Sequence, residues 1–455
     1  MKILCRSQIH YGLMLFLAKK LNEFKNISYR QDYAPFIIFH PSKFFTMKLL
    51  HTSDWHLGRC LYEKKRYDEF SEFLDWLVLF IANEKIDLLL VSGDVFDTTT
   101  PSNKAQELYY HFLSKVSKTT CRNIVVIGGN HDSPTFLEAP KPLLGALNIH
   151  VVGAMTEKPE DEIFLIDDAE GKREAIVCAM PYLRDRDIRF SEPGESPNDK
   201  TRKILIGIAD HYKLIAGLAG KLQEKKNHVP VIGMGHLFTR EAMTTEGDGI
   251  RELYIGSEAH IDGKNISEGF DYMALGHLHM AQTAGGSDCI RYSGSPLQMS
   301  FAEAGQKKHV VVVDFAEGIP NITEHPVPCF RKLMSVTGDI ETITAKINEL
   351  KENDSDAWLE IEITSQTTLK NLTSHFDELI SDSKMEILRI KNRSVTESTL
   401  NRIAETETLE TLDDIDVFTR CLDASTIIDP GEREMLITTY REARENMQTE
   451  DINAV

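Results

Sequence analysis

The chain has 455 residues, of which 42% are hydrophobic and 27% are charged, and this composition excludes a largely disordered protein. The length exceeds what one hydrophobic core usually serves, so two or three domains are expected. The formal net charge of −19 argues against a nucleic-acid-binding protein that relies on a broad basic face, because neutralising phosphates requires Lys and Arg.

The first 46 residues differ in charge from the rest, with seven basic and two acidic side chains. Their apolar run, Tyr11 to Ala18, is short for a signal peptide and far too short to span a bilayer. The stretch that starts at Met47, MKLLHTSDWHLG, is typical of a first sheet strand. Residues 1–46 are therefore expected to be an N-terminal extension that precedes the native start.

Alternating strand and helix patterns follow. The apolar residues Tyr67, Phe70, Leu74 and Leu77 recur at spacings of three and four, which predicts a helix over Arg66–Glu84. Other predicted helices are Pro101 to about Lys118 and Thr201–Glu224, and further strands are predicted at Ile86–Ser92, Ile124–Ile127, His150–Val152, Ile163–Ile166, Ala175–Met180, the run ending at His236, Tyr272 onwards, Ile290–Ser293 and His309–Phe315. This rhythm predicts an α/β fold. Pro181–Lys200 is predicted as a charged surface loop, and Thr239–Ile261 as a long irregular connection.

Five of the predicted strands end in residues of the kinds that bind metals. These endings lie in LLHTSDWHLG, LLLVSGDVFD, GGNHDS, VPVIGMGHL and YMALGHLH, and the residues are Asp54, His56, Asp94, Asn130, His236, His277 and His279. A single His at a strand end is usually a structural residue, but five such endings in one chain indicate a common site. In D-x-H and H-x-H, strand alternation is expected to place both side chains on the same side.

The residue types indicate which metals are suited. Carboxylates, imidazoles and one amide oxygen favour Mn²⁺, Fe²⁺ or Zn²⁺ over a thiolate zinc site or an all-oxygen calcium site. Seven donors are too many for one such ion, but two ions that share an aspartate account for them. Bound cations would also let an acidic protein act on an anionic polymer.

In their fixed order, D-x-H, GD-x-x-D, GNHD, GH and GH-x-H resemble the calcineurin-like metallophosphoesterase superfamily. Together with YSGSP (Tyr292–Pro296), they resemble a bacterial branch of DNA-repair nucleases within it, from roughly Met47 to the C-terminus. The resemblance implies a two-sheet metallophosphoesterase sandwich flanked by helices. It also implies that Asp54, His56 and His279 hold one ion, that Asn130, His236 and His277 hold the other, and that Asp94 bridges both.

Four nearby residues receive supporting roles. His131 follows a ligand and is expected to act as a general acid or to stabilise the scissile phosphate, with a supporting hydrogen bond as the alternative. Asp132 and Asp97 are expected to orient ligands or cap turns. Asp97 stands where many archaeal and eukaryotic relatives have a His that influences exonuclease action. The resemblance therefore assigns that role to no residue of this chain. His51 is expected to lie in the core or behind the ligands.

The resemblance implies a Mn²⁺-dependent DNA nuclease of 47–325 that acts as a 3′–5′ double-strand exonuclease and a hairpin or single-strand endonuclease. The alternatives are a phosphoesterase for a small molecule or phosphoprotein, and a non-catalytic scaffold. A small capping α/β domain is predicted at 326–395, with strands Lys332–Thr337, Ala357–Ile363 and Met385–Ile390 and helices Ile340–Glu352 and Leu369–Ser381.

Residues 396–455 are predicted to be helical, either as ordinary core or as a segment that docks onto a partner. The resemblance favours docking onto a coiled-coil ATPase subunit, with the chain as a homodimer within a heterotetramer. No G-x-x-x-x-G-K phosphate loop occurs, so any use of ATP belongs to such a partner. Seven scattered cysteines without a C-x-x-C pair predict reduced thiols and a cytoplasmic location; they are Cys5, Cys60, Cys121, Cys178, Cys289, Cys329 and Cys421.

Overall fold

The computed structural model describes residues 46–190, 192, 194–223, 228–240, 242–243, 260–316, 319–364, 372–392, 415, 418–419, 422 and 433–441. The predicted extension up to residue 45 and most of the predicted irregular connection and C-terminal helical segment lie outside the described residues. The described residues form two compact units. Unit 1 draws on the described residues within 46–59, 65–299 and 307–328, and unit 2 on those within 60–64, 300–306 and 329–441.

The described strands are, in chain order, β1 (Thr46–Thr52), β2 (Cys60–Leu61), β3 (Lys64–Lys65), β4 (Leu88–Ser92), β5 (Asn123–Ile127), β6 (Ile149–Val152), β7 (Ile163–Asp167), β8 (Arg173–Ala179), β9 (Val231–His236), β10 (Tyr272–Gly276), β11 (Gln282–Ala284), β12 (Ser287–Tyr292), β13 (His309–Ala316), β14 (Ile319–Pro326), β15 (Leu333–Gly338), β16 (Trp358–Ile363) and β17 (Glu386–Asn392). The described α-helices are α1 (Tyr67–Glu84), α2 (Asn103–Val116), α3 (Pro134–Glu138), α4 (Lys141–Gly145), α5 (Asp185–Ile188), α6 (Pro197–Leu222), α7 (Gly263–Ser267), α8 (Ile340–Glu352) and α9 (Leu372–Ile380).

Unit 1 contains two six-stranded sheets, which confirms the predicted sandwich. The first has the order β14-β13-β1-β4-β5-β6, and the second has the order β11-β12-β10-β9-β8-β7. Strands β1, β4, β5 and β6 pair in parallel, as do β8, β9, β10 and β12. Because parallel strands end at the same edge of a sheet, each sheet gathers several strand ends at one edge.

The inner faces of the two sheets share one core. The side chains buried there include Leu49, Leu90, Val125, Val177, Met234 and Ala274, drawn from strands of both sheets. Helices cover the outer faces. Trp55, just after β1, makes edge contacts with Phe73 of α1 and Phe112 of α2, and the α6 residues Ile208 and Tyr212 are buried with residues of the second sheet. Burial on both faces explains the nearly continuous apolar runs of the central strands.

The segment 181–200 is more ordered than the predicted loop. It contains α5 and the start of α6, where the Ser196 hydroxyl accepts a hydrogen bond from the Asp199 N–H at 3.2 Å. Ser followed by Pro is a helix-start signal that outweighs the loop-like composition. Within this segment Arg189 forms ion pairs with Asp185 and Glu195, so its charge is already neutralised locally.

Strand β14 was not expected from the sequence. It pairs antiparallel with β13 along its full length and lies at the edge of the first sheet. Its sequence, IPNITEHP, contains two prolines and few apolar residues, which argues against a strand in general but is tolerated at a sheet edge.

Unit 2 contains a three-stranded parallel sheet, β15-β16-β17, that packs with α8 and α9. Its core includes Val336, Ile347, Leu359, Ile361 and Phe376. The order of these elements agrees with the predicted small α/β unit, and α8 has the predicted bounds. Residues 433–441 are helical. Among the helices that the structure describes, none is long and apolar enough to cross a membrane.

Candidate metal centre

The predicted ligands meet where the strand ends of the two sheets come together. Ser92, at the end of β4, makes two hydrogen bonds to the second sheet. Its carbonyl accepts from His236 Nδ1 at 3.0 Å, and its hydroxyl donates to the Ala274 carbonyl of β10 at 3.0 Å. His51 of β1 also crosses between the sheets: it contacts the Tyr272 hydroxyl at 3.0 Å and the Leu275 carbonyl at 3.1 Å. The expectation that His51 is a core residue is therefore confirmed.

Four of the predicted ligands have backbone conformations that are unusual for residues with a side chain. The φ angles are 53° at Asp54, 48° at His56, 51° at Asp94 and 102° at His277. These residues lie after the strands rather than in them, so the argument from strand alternation for D-x-H and H-x-H is wrong. Instead, the turned backbone aims these side chains. Such strain costs of order 1–3 kcal/mol per residue and is concentrated at functional sites.

Glycines are required here by close approach. A Cβ at Gly129 would lie 2.1 Å from Asp94 Oδ1, and a Cβ at Gly93, where φ is 87°, would lie 2.3 Å from His236 Nδ1. Both distances are far below contact distance. These glycines are the first residues of the GNHD and GD-x-x-D motifs. They let the donor groups that follow different strands approach one another.

The structure brings all seven predicted ligands together. Six of them lie in buried groups whose donor atoms are within 4.8 Å of one another: Asp54, His56 and His279 form one, and Asp94, His236 and His277 form another. A third such group joins His56 and Asp94 to His131. The Oδ1 atom of Asn130 lies 3.0 Å from His236 Nε2, which joins the amide to the second group. Asp94 belongs to two of these groups, one with His236 and His277 and one with His56 and His131, and His56 likewise belongs to two.

Several contacts orient individual donors. The His277 N–H donates to both oxygens of Asp54, at 2.9 and 3.1 Å, and the Ser53 hydroxyl also donates to that carboxylate. His236 Nδ1 must carry a proton because its partner is a carbonyl, which leaves Nε2 directed at Asp94 Oδ2, 3.4 Å away. The Nε2 atoms of His56 and His279 lie 3.2 Å apart.

Burial dominates the electrostatics of the site. Burial lowers the pKa of His56 to about 4 and, with nearby His236, holds the pKa of His277 well below its ordinary value, so both rings have free lone pairs at neutral pH. Burial raises the pKa of Asp54 to about 6. Burial alone would lower the pKa of His236, but the Asp94 carboxylate more than offsets this and raises it to about 9.

His131 is buried and lies against the ligands. Its Nδ1 lies 2.8 Å from the Asp97 carbonyl, and its backbone N–H donates to Asp94 Oδ1 at 2.9 Å. Its ring packs edge-on against His56, with the centroids 4.7 Å apart. Because a carbonyl only accepts, Nδ1 carries a proton, so Nε2 is the atom available to a substrate or a metal.

Asp132 and Asp97 have the orienting contacts expected for them. The Asp132 carboxylate accepts from the N–H groups of Gly129, Val95 and Phe96, at 2.9, 3.1 and 2.9 Å, and so joins the loops after β4 and β5. Asp97 Oδ1 lies 3.3 Å from His56 Nδ1 and 3.2 Å from the Arg59 guanidinium, a placement that orients the His56 ring.

These residues fit divalent cations. The donor set contains two carboxylates, one amide oxygen and four imidazoles, and every member except Asn130 is buried. The Nε2 atoms of His56 and His279 face each other at 3.2 Å, and the donor groups include the buried carboxylates of Asp54 and Asp94. Both features favour a bound cation. This chemistry suits first-row divalent metals.

The site also contains four residues that were not predicted from the sequence: Ser53, Ser293, Ser295 and Lys308. Lys308 Nζ donates to the His279 carbonyl at 3.0 Å, and Ser293 lies 2.9 Å from Ser53. The signal for the two late serines was present in the YSGSP motif, which was noted only as part of a resemblance. Lys308 has no motif, so the sequence carries no signal for it.

Comparison with known proteins agrees with this geometry. A family model described as calcineurin-like phosphoesterase matches residues 47–281, and a second, an SbcD C-terminal model described as type 5 capsule protein repressor C-terminal domain, matches residues 329–426. A solved dimetal phosphatase from Danio rerio matches with a TM-score of 0.34 at 12% identity, over 62% of this chain and 99% of that chain.

Curated relatives match over most of their length. The SbcD subunit of the SbcCD nuclease of Escherichia coli K12 is 34% identical over 83% of this chain and 92% of that protein. The SbcD subunits of Bacillus subtilis and Rhodobacter capsulatus are each 32% identical, over 70% and 67% of this chain and 79% and 76% of those proteins.

The two packed sheets and the cluster of buried Asp and His side chains with Asn130 beside it, where the strand ends of both sheets meet, are those of a metallophosphoesterase, and the calcineurin-like family model covers this part of the chain. Within that class, the chain belongs to the SbcD family of nuclease subunits.

Proposed function

We propose that this chain is the metal-dependent nuclease subunit of an ATP-dependent SbcCD-like complex that acts in DNA repair, recombination and replication. In this proposal it is a 3′–5′ exonuclease on double-stranded ends and an endonuclease on hairpins and single strands. The observation that carries the proposal is the convergence of seven metal-type side chains from five strand ends at one buried position. The names of the curated relatives favour a nuclease over the alternative, a phosphoesterase for a small molecule or phosphoprotein.

Two divalent ions would be held by these donors. In this assignment Asp54, His56 and His279 bind one ion, Asn130, His236 and His277 bind the other, and Asp94 contributes to both. The grouping of the donor atoms supports the division, because Asp54, His56 and His279 form one group, while Asp94, His236 and His277 form another. His131 also lies close enough to Asp94 and His56 to be a donor, so its role needs a direct test.

Mn²⁺ is the proposed metal, because oxygen and imidazole donors occur here in nearly equal numbers and no cysteine is among them. When bound, two such ions supply positive charge at the phosphodiester and activate a water for attack. The bound ions would also provide the positive potential that an acidic chain otherwise lacks.

His131 would act on the substrate through Nε2. The Asp97 carbonyl fixes the ring through Nδ1, and the edge contact with His56 limits its rotation. A protonated Nε2 would donate to the departing oxygen of the scissile bond or stabilise charge on the phosphate. Asp132 and Asp97 would maintain the positions of Asp94 and His56 without touching substrate.

An SbcC-like coiled-coil ATPase subunit and DNA are the proposed partners. The chain has no phosphate loop of its own, and its C-terminal part matches the SbcD C-terminal model. We expect a homodimer of this chain within a heterotetramer, located in the cytoplasm. A basic surface on the ATPase subunit would add to the affinity for DNA.

The test is incubation of the purified protein with MnCl₂ and an end-labelled DNA hairpin, in parallel with a generic phenyl phosphodiester. Opening of the hairpin, abolished by EDTA and restored by Mn²⁺, is expected. Turnover of the phenyl ester without any cleavage of the hairpin or of duplex ends would contradict the nuclease and support the alternative phosphoesterase. Failure to turn over either compound, both alone and with an SbcC-like ATPase subunit and ATP, would favour the non-catalytic scaffold.

A further inference from the structure

The YSGSP segment, Tyr292–Pro296, lies directly behind the candidate metal centre. Strand β12 pairs in parallel with β10, and Tyr292 is the partner of Leu275. The residues that follow β12 therefore emerge beside the residues that follow β10, which include His277 and His279. Gly294 has a φ of 75°, and a Cβ there would lie 2.8 Å from the His279 carbonyl. This segment is thus shaped to lie against the backbone of the H-x-H turn.

Ser293 is connected to Asp54 through the hydroxyl of Ser53. The Ser53 hydroxyl gives its single proton to the Asp54 carboxylate, so it can only accept from Ser293. The Ser293 hydroxyl lies 2.9 Å from Ser53, closer than the 3.4 Å to its other acceptor, the Gly294 carbonyl. All three side chains are fully buried. The hydroxyl chain from Ser293 through Ser53 therefore holds the carboxylate in a single orientation.

Lys308 acts in the same way on His279. Its Nζ donates to the His279 carbonyl at 3.0 Å and to the Ser295 hydroxyl at 3.1 Å. The Ser295 N–H donates to the same carbonyl at 3.1 Å. Only 7% of Lys308 is exposed, although an ammonium group is costly to bury and is usually found at the surface. Such a charge is retained in an interior where it makes specific contacts.

We propose that Ser293 and Lys308 are positioning residues for one of the two metals, the ion assigned to Asp54, His56 and His279. Ser293 orients Asp54, and Lys308 orients His279 through the carbonyl of that residue. The inference rests on the proposed two-metal site. His236, a ligand of the other metal, is oriented independently by the Ser92 carbonyl. Loss of the Ser293 hydroxyl or of the Lys308 ammonium group should consequently lower the affinity for one ion more than the affinity for the other.

The test is calorimetric titration of MnCl₂ into the metal-free, full-length protein and its variants. Two ions are expected for the wild type. Lys308→Met keeps the length of the side chain but removes the donor, and Ser293→Ala removes the hydroxyl. Each variant should bind one ion about 10- to 100-fold more weakly, the usual effect of losing a partner behind a ligand, and the other ion almost unchanged. Lys307→Met, an exposed neighbour, is the matched control and should bind both ions normally.

A double variant separates positioning from general support of the fold. If Lys308 acts through His279, Lys308→Met should add nothing to the effect of His279→Ala on metal affinity, whereas independent effects would add. Equal weakening of both ions in Lys308→Met and Ser293→Ala, or wild-type affinity for both, would overturn the inference while leaving the two-metal site in place. Fewer than two ions in the wild type would overturn the two-metal proposal itself, and this inference with it.

Discussion

The backbone N–H of His277 donates to both carboxylate oxygens of Asp54, at 2.9 and 3.1 Å, across 223 residues of sequence. One residue follows a strand of the first sheet and the other follows a strand of the second, so this contact links the two sheets at the metal centre. Both residues have positive φ angles, 53° and 102°. The bond therefore stabilises two strained turns at once.

Asp54→Asn tests whether the buried, ionised carboxylate of this ligand lowers the stability of the metal-free fold. Burial raises the pKa of Asp54 to about 6, so near pH 7.5 the fold holds an ionised carboxylate that it disfavours. Asn still accepts from His277 and carries no charge. In EDTA at pH 7.5 the variant should unfold at a temperature equal to or above that of the wild type, and the gain in Tm on adding Mn²⁺ should be much smaller.

In EDTA, the difference in Tm between Asp54→Asn and the wild type should shrink below about pH 6. There Asp54 in the wild type takes up a proton, and its destabilising charge disappears. Thermal unfolding followed by circular dichroism at pH 5 and 7.5 measures both effects. A variant that is several degrees less stable than the wild type in EDTA at pH 7.5 would contradict the expectation.

Asp94→Ala and His131→Ala should separate metal binding from cleavage. Asp94 shares one donor group with His236 and His277 and another with His56, and it contributes to both ions in the proposed assignment, so its loss should abolish binding of both ions and all cleavage. His131→Ala should retain Mn²⁺ and lose about 10²- to 10⁴-fold in the cleavage rate, the range for removal of a general acid. Metal content by atomic absorption and hairpin cleavage rates give the comparison. Equal loss of metal in the two variants would instead make His131 a ligand.

Asp132→Asn should lower stability and metal affinity together. The carboxylate accepts three backbone N–H groups, whereas an amide presents an NH₂ in place of one oxygen and leaves a buried donor without its acceptor. A stranded buried donor costs about 1–3 kcal/mol. Denaturant unfolding and Mn²⁺ titration measure the two effects. Asp161→Asn, at an exposed position, is the control, and a wild-type result for Asp132→Asn would show that these bonds are dispensable.

Removal of all residues after Glu397 should leave a folded metalloprotein that no longer associates with its ATPase subunit. The predicted apolar residues of this tail lie among charges, and the last strand that the structure describes in unit 2 ends at Asn392, before the truncation. Co-purification with an SbcC-like ATPase, alongside Mn²⁺ titration of the truncated protein, tests the assignment. Retention of the partner by the truncated protein would place the docking surface elsewhere.

Much of the secondary structure was predictable because local patterns match the burial that the fold imposes. Helix α1 shows its apolar spacing within one segment, and α8 is bounded by Asp339, whose side chain accepts from the Thr342 N–H at 2.8 Å. The predictions were incomplete where local composition was ambiguous. Strand β14 resembles a loop because an edge strand has one side open to solvent, and the start of α6 was concealed by its charged surroundings.

The sequence by itself determined which side chains form the candidate centre, because each follows an apolar strand and a small residue in a recognisable motif. Only the tertiary structure decided how they are held, since the supporting atoms come from distant segments and are mostly backbone groups. The Asp97 carbonyl on His131, the Ser92 carbonyl on His236 and Lys308 on the His279 carbonyl leave no trace in residue spacing. A ligand's chemical type is a property of its side chain, but its direction depends on contacts that exist only once both sheets have packed.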